Sequence, residues 1–548
     1  MVRFSALSLL AAAVVALAAC DTAGASTANS DAFDPSTVDY DARTRIDFEA
    51  DVRPLLAARN VLSPTATLDP GDPADYSLDA LVMAGPSGFV VPFDAEGSLL
   101  VRFTRDLADT TAIPFPNLRR LEADERRFVE RWIEGGARDG DRIPFADARR
   151  LLFACVQGEN TVDVLDAETL RIVRRVRFDA LGFPSAPYGP HHVAFEPGGG
   201  AWYVSLISTG AVLKLSTSLT LDPASREYVL GSVRTTTPGM LALDPSSDRL
   251  FVGRSTLSAS TTSGFVILDR RAMTATEVAT PFNVPHAMAV TRDGRFVLTA
   301  SLTGGQVAVY DTVSEDLAIT TVPGGPHELI HFAVLGAHHA ATVAPAGHAG
   351  MDHGQMDHSQ MNHGAPAATG AAADPAHAYE ATLTSKSTGT VLFFSLSASG
   401  ALALTATAPA GNGPYHAHVG HDGRTMFVPN QRGNTVTILD AVTRESTRTV
   451  SASAPAGPLS QPHSPAPGHD GARFYVSSSN LTGRWVPPYA FLGPPDADGA
   501  RAPLPAARFS NVAAFSIDGA VLGVVQLGTY ASGLEPFTVG VGGHESGM

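Results

Sequence analysis

The chain has 548 residues, room for two or three domains. It holds 38 Lys and Arg against 54 Asp and Glu, a formal charge of −16. An acidic surface of this kind repels phosphate backbones and argues against nucleic acid as a partner.

Arg3 precedes an apolar run from Leu7 to Ala19. The run is too short for a stable membrane span and has the charged, apolar, small-residue order of an export signal. It ends Leu17-Ala18-Ala19-Cys20, which resembles a bacterial lipobox. The resemblance implies a signal peptide over residues 1–19 and lipidation of Cys20, with a lipid anchor in a membrane as partner. It places the body in the cell envelope, facing the periplasm or the exterior. Residues 20–45, rich in Ser, Thr, Ala and Asp, read as a solvated tether. The only later thiol is Cys155, in the apolar run Leu151–Val156, where it reads as a small buried core residue.

Residues 46–141 have helical patterning. Phe48 to Leu56 reads as an amphipathic opening helix. Leu121, Phe128, Val129, Trp132 and Ile133 recur at near-helical spacing before Gly135-Gly136. The succession Asp51-Val52-Arg53-Pro54, Leu81 to Pro86, Gly97 to Leu100 and Trp132 to Ala137 resembles a cytochrome-c-like domain of exported bacterial proteins. That family holds haem through Cys-x-x-Cys-His after the first helix. Ala57 to Pro64 stands there instead, and the family's distal Met-Pro is matched by Ile113-Pro114. Neither attachment nor axial ligand is present, so no haem is expected. The segment reads as a degenerate helical domain that docks on the rest of the chain or on a partner.

From about Arg149 the pattern changes to short β-rich runs between Gly, Pro, Asp and Asn turns. A unit recurs: Pro with His beside it, an apolar strand, an Asp-Gly turn, a second apolar strand, then a third ending at Asp. Its starts are Pro190, Pro238, Pro285, Pro326, Pro414 and Pro462, at intervals of 48, 47, 41, 88 and 48. The long interval contains a low-complexity insert of about 43 residues, without which it is about 45. A period of 40–50 with four strands per unit is the signature of a β-propeller. With a partial unit at 150–178, closed by strands near Val512–Leu527 and Glu535–Val539, the count is seven blades over residues 146–541. The fold class expected is therefore mainly β: a seven-bladed propeller behind a small helical domain. These units resemble the YncE-like, YVTN-type propellers of exported bacterial proteins, over about 390 residues.

Two sets of donors follow. His191 and His192, His286, His327 and His331, His416 and His418, and His463 sit on or just before the first strand of a blade, which in a propeller lines the central channel. Spacings of two and four keep His416 with His418, and His327 with His331, on common faces. His192, His286, His327, His331, His416, His418 and His463 are therefore candidate metal ligands. The arrangement looks like part of the copper-binding nitrous oxide reductase propeller, although a Cys-rich copper domain is missing and Gly239 stands where the third unit would offer His. The alternative is a structural turn in which each imidazole bonds the neighbouring blade. The second set is the insert, residues 336–378, in which Met351, His353, Met356, His358, Met361 and His363 repeat a Met-x-His unit every five residues. It cannot bury a core and reads as a disordered loop. Thioethers favour Cu(I), imidazole takes Cu(I) or Cu(II), and the tract looks like those of bacterial copper-resistance proteins.

No nucleophile elbow, P-loop or dinucleotide fingerprint occurs in a fitting context. A hydrolase or lyase built on His327 and Glu328 has only that adjacency behind it. Three readings remain: a copper-binding envelope lipoprotein, a non-catalytic scaffold for another envelope protein, and a copper-dependent oxidoreductase with an electron-transfer partner.

Overall fold

The computed structural model describes residues 33–59, 61, 77–83, 88–105, 121–184, 189–255, 263–336, 379–451, 457–487 and 502–539. Cys20, Ile113-Pro114 and the Met/His insert from Ala337 onward lie outside them. The chain divides into two units, Met1–Val38 and Asp39–Met548. In the first, a 3-10 turn over Pro35–Thr37 is capped by Asp34, whose Oδ1 accepts from Ser36 N at 3.0 Å.

Among the described residues of the second unit, twenty-eight strands form seven four-stranded antiparallel sheets, the blades of a propeller. Blades 2 to 7 open with inner strands Pro190–Phe195, Pro238–Leu243, Pro285–Val290, Leu329–Gly336, His418–Val419 and Pro462–Pro467. Blade 1 takes its inner strand from the far end of the ring. Ala531–Thr538 pairs antiparallel with Arg150–Val156, with Phe153 opposite Glu535. That closure joins the two ends of the ring within one blade. The inner and second strands are buried almost throughout, whereas outer strands such as Val229–Arg234 alternate between exposed and half-buried. Apolar residues from facing sheets meet between the blades, as Phe153, Phe195, Trp202 and Phe537 do between blades 1 and 2. Cys155 is fully buried there, and burial pushes its thiol pKa well up.

The Asp-Gly turns read from the sequence join inner to second strands. Gly294 and Gly423 have φ of 69° and 65°, the left-handed region where glycine carries no Cβ penalty. Asp422 Oδ1 accepts from the backbone N–H of Arg424 at 2.9 Å and Thr425 at 2.8 Å, which fixes the turn.

The N-terminal part of this unit consists of short helices: a π-turn Phe48–Val52 running into α1 (Arg53–Ala58), then α2 (Leu78–Met83), α3 (Leu99–Arg105) and α4 (Ala123–Glu134). Asp47 caps the first, its Oδ1 accepting from Ala50 N at 3.1 Å. The periodic residues Phe128, Val129, Trp132 and Ile133 form the buried face of α4, and Trp132 packs on Phe48 with centroids 5.5 Å apart. The layer docks on the outermost strand of blade 1, Arg171–Arg177. Arg175 is buried between Asp163 of its own blade, at 2.7 Å, and Asp94 of the helical layer, at 3.0 Å. Val91 completes the apolar contact with Leu152, Leu165 and Ile172. Among the described residues no helix is long and apolar enough to cross a membrane.

Candidate metal centre in the propeller channel

One irregularity of the backbone builds the site. In every blade the inner strand carries one residue more than its neighbour over the same stretch. His191 and His192 lie opposite Ser205 alone, Gly239 and Met240 opposite Gly253, and Ile330 and His331 opposite Thr384. His286 and His463 are inserted with no residue opposite. In blade 6, Pro414 pairs with Asn430 and His418 with Phe427, so Tyr415, His416 and Ala417 face only Val428 and Pro429. In blade 1 the pair is Ser532 and Gly533, opposite Cys155. Such a bulge turns a side chain out of the strict alternation of a strand. Repeated around a ring, it turns the blade-start residues toward a common centre.

His191, His286 and His416 each offer a ring nitrogen, and the three nitrogens lie within 4.8 Å of one another. All three residues are buried. His463 joins them, its ring centroid 4.7 Å from that of His416 and 6.5 Å from that of His191. Tyr415 stacks on His416 at 5.1 Å and meets His463 edge-on at 4.3 Å. Two nitrogens bound to one ion are at most about 4.2 Å apart, twice a metal–nitrogen bond. Closing the trio on one ion therefore draws the rings together by several tenths of an ångström.

Two rings of this layer have one nitrogen held, and two have none. Gln157 Nε2 donates to His191 Nδ1 at 2.7 Å, and His286 Nδ1 is 3.1 Å from Ser255 Oγ. His191 Nε2, His286 Nε2 and both ring nitrogens of His416 and His463 are buried without a hydrogen-bond partner in the protein. Buried polar groups are seldom left so, because each costs about 1–3 kcal/mol. The absence of a side chain at Gly239 also has a use: a Cβ there would stand 2.3 Å from Ser255 Oγ, the group that orients His286. Burial, then the neighbouring imidazoles, pushes His191 and His416 far below the usual histidine range. Burial lowers His463 likewise and holds His286 at about 4. The layer is neutral at pH 7, the state in which imidazole ligates metal.

A second layer lies beside the first. His331 stacks on both His416, at 5.1 Å, and His418, at 5.3 Å. Glu535 Oε1, supplied by the closing strand and almost fully buried, is 3.2 Å from His192 Nε2 and 3.5 Å from His418 Nε2. Here the backbone reaches the rings: Leu241 N donates to His192 Nδ1 at 3.3 Å, and Ala417 N to His331 Nδ1 at 3.4 Å. These residues bound a cavity of about 440 Å³ with mainly apolar walls, Met240, Met288 and Phe332 among them.

Among the histidines named from the sequence, His286, His416 and His463 meet in the first layer, with His191 beside them. His192, His331 and His418 meet in the second. His327 joins neither: its Nδ1 is 2.8 Å from Ser385 Oγ and its Nε2 3.1 Å from Pro323 O, so both nitrogens are engaged in the turn that precedes blade 5. Met351, His353, Met356, His358, Met361 and His363 lie outside the described residues. Sequence reasoning missed Glu535, Gln157 and Ser255. None carries a local motif, and each reaches the channel only through blade packing.

No protein-family model and no curated protein matches the sequence. Among solved structures, the chain is similar to a functionally unknown protein from Desulfotomaculum acetoxidans, with 12% identity, 71% of this chain and 99% of that chain covered, and a TM-score of 0.32. It is also similar to the dihydro-heme d1 dehydrogenase NirN, solved in complex with DHE. There the identity is 12%, the coverage 82% of this chain and 94% of that chain, and the TM-score 0.40.

Proposed function

We propose that this chain is an exported, lipid-anchored propeller of YncE-like type that binds copper on its channel axis. The observation that carries the reading is the buried trio His191, His286 and His416, with one ring nitrogen of each within 4.8 Å of the others and the Nε2 of each without a hydrogen-bond partner. Those three would hold the ion and His463 would complete the set. Neutral imidazole suits copper, zinc, iron and nickel. The Met-x-His repeat from Met351 to His363 favours copper among these, because thioethers select Cu(I). That tract would gather the ion and the channel would retain it. The lipobox-like Leu17 to Cys20 supports anchoring through Cys20 in the envelope. The short helices Phe48 to Glu134 would be a haem-free relic of a cytochrome-like module, used here to cover the outer edge of blade 1.

Metal analysis of three purified forms tests this: the full chain, a deletion of residues 345–365, and His416→Ala. Copper should survive the deletion and disappear from His416→Ala. Copper lost with the deletion alone would move the site to the tract. Copper absent from all three forms, after loading with Cu(I) and with Cu(II), would leave a scaffold for another envelope protein.

A further inference from the structure

The second layer contains the same residue type as the first, but its proton positions are set by the backbone. A neutral imidazole carries one proton, and a nitrogen that accepts a hydrogen bond does not hold it. A backbone N–H can only donate. Leu241 N and Ala417 N, donating to Nδ1 of His192 and His331, therefore leave the protons of both rings on Nε2. His192 Nε2 lies 3.2 Å from Glu535 Oε1 without bonding it, and the ring of His331 lines the cavity. A ring held this way by the backbone, which cannot reverse its role as a flipped amide can, keeps that proton. It is a hydrogen-bond donor. Glu535 Oε1 and His418 Nε2 are buried and make no hydrogen bond of acceptable geometry within the protein. So one end of the cavity presents an acceptor and N–H donors side by side. The walls running from there past Met240, Met288 and Phe332 toward Pro245 and Arg292 are mostly apolar.

We infer that this cavity binds an uncharged small molecule with an apolar body and a hydroxyl head, an alcohol or a phenol. A hydroxyl donates once and accepts as well, so it can give its proton to Glu535 and receive the N–H of His331. A carboxylate head would face the buried Glu535 charge, and an ammonium head can donate only, leaving the imidazole N–H unmet. A volume of about 440 Å³ is in the range of small-ligand sites. The inference concerns the second layer and does not require copper in the first.

Calorimetric titration of the full chain with four probes tests it: 4-propylphenol, its methyl ether, 4-propylbenzoate and 4-propylbenzylamine. The phenol should bind at least about tenfold more tightly than each of the others, since one hydrogen bond to a charged group is at stake. Glu535→Leu should erase that preference, and Met288→Trp, which fills the cavity, should weaken all four. The order should be the same in copper-loaded and copper-free protein, so a failure of the copper reading leaves this result standing. Should Glu535→Leu not fold, the probe series on the unaltered chain still decides. The inference is overturned by an ether or amine that binds as well as the phenol, by a benzoate that binds better, or by no binding at all.

Discussion

The two histidine layers of the channel have the same origin, inner strands that carry one surplus residue, and yet they present opposite chemistry. In the first layer Nδ1 of His191 and His286 meets a side chain, Gln157 or Ser255, and His416 and His463 meet nothing. The Ser255 hydroxyl can give or receive, so the His286 ring is free to turn a lone pair inward, whereas the Gln157 NH2 gives to His191 Nδ1 and its carbonyl oxygen would have to take that place for His191 to do the same. In the second layer Nδ1 of His192 and His331 meets backbone N–H, which fixes the proton on the other nitrogen. Which group stands behind a ring decides whether its front is a ligand or a donor.

The largest expected effect concerns acid. Burial lowers the pKa of His191, His286, His331, His416, His418 and His463 in the folded protein. In the unfolded chain each titrates near 6.5. Below that pH the unfolded state binds more protons, so stability is complete above about pH 6.5 and falls as the pH drops toward the folded values, which for His286 is about 4. Each neutral ring contributes a loss of about 1.4 kcal/mol per pH unit in that window. Urea melts of metal-free protein from pH 7.5 to 5 should show a fall of several kcal/mol. A flat profile would mean that water reaches the rings and that the first layer is not sealed.

Next in size is His416→Ala, which removes the ring that touches most of the others. Copper affinity should fall by about 100-fold or more, read by competition with a chromogenic chelator. His416→Leu gives the sharper form of the comparison. It buries no orphaned nitrogen, so in metal-free protein it should hold stability constant or raise it by about 1–3 kcal/mol while lowering copper affinity as His416→Ala does. A ring that merely bonded a neighbouring blade would do the reverse, losing stability and leaving copper uptake intact. Gly239→Ala comes third. Its Cβ displaces Ser255 and frees His286 to rotate, and copper affinity should drop about tenfold, with Ser255→Ala giving a similar loss. The smallest effect distinguishes the layers: Glu535→Gln should change copper affinity by less than about twofold. A large change there would merge the two layers into one site.

The propeller was legible because its period is a property of the chain alone. Every unit must repeat one strand order and one turn chemistry, so Pro190, Pro238, Pro285 and Pro462 open inner strands, and Pro326 and Pro414 stand just before theirs at Leu329 and His418. Helix α4 showed in its spacing for the same reason: Phe128, Val129, Trp132 and Ile133 are set by a local period. The direction of each imidazole was not legible. Strand alternation groups His327 with His331, but the surplus residue at Ile330 and His331 resets the alternation and leaves His327 behind in the turn. The same reset places a ring nitrogen of His191 within 4.8 Å of those of His286 and His416. Glu535 was hidden because closure pairs it with Phe153, a residue 382 positions earlier in the chain. Nothing local in the sequence announces such a partner.

The strand that seals the ring has a consequence for biogenesis. Ala531–Thr538 both covers the exposed edge of Arg150–Val156 and delivers the carboxylate of the second layer. A chain emerging from the ribosome or crossing a membrane from its N-terminus therefore completes all other blades before it has that acid, and until then carries one bare β-edge. Sealing against misassembly and finishing the pocket are thus a single event, and a chain that lost its last segment would forfeit both at once.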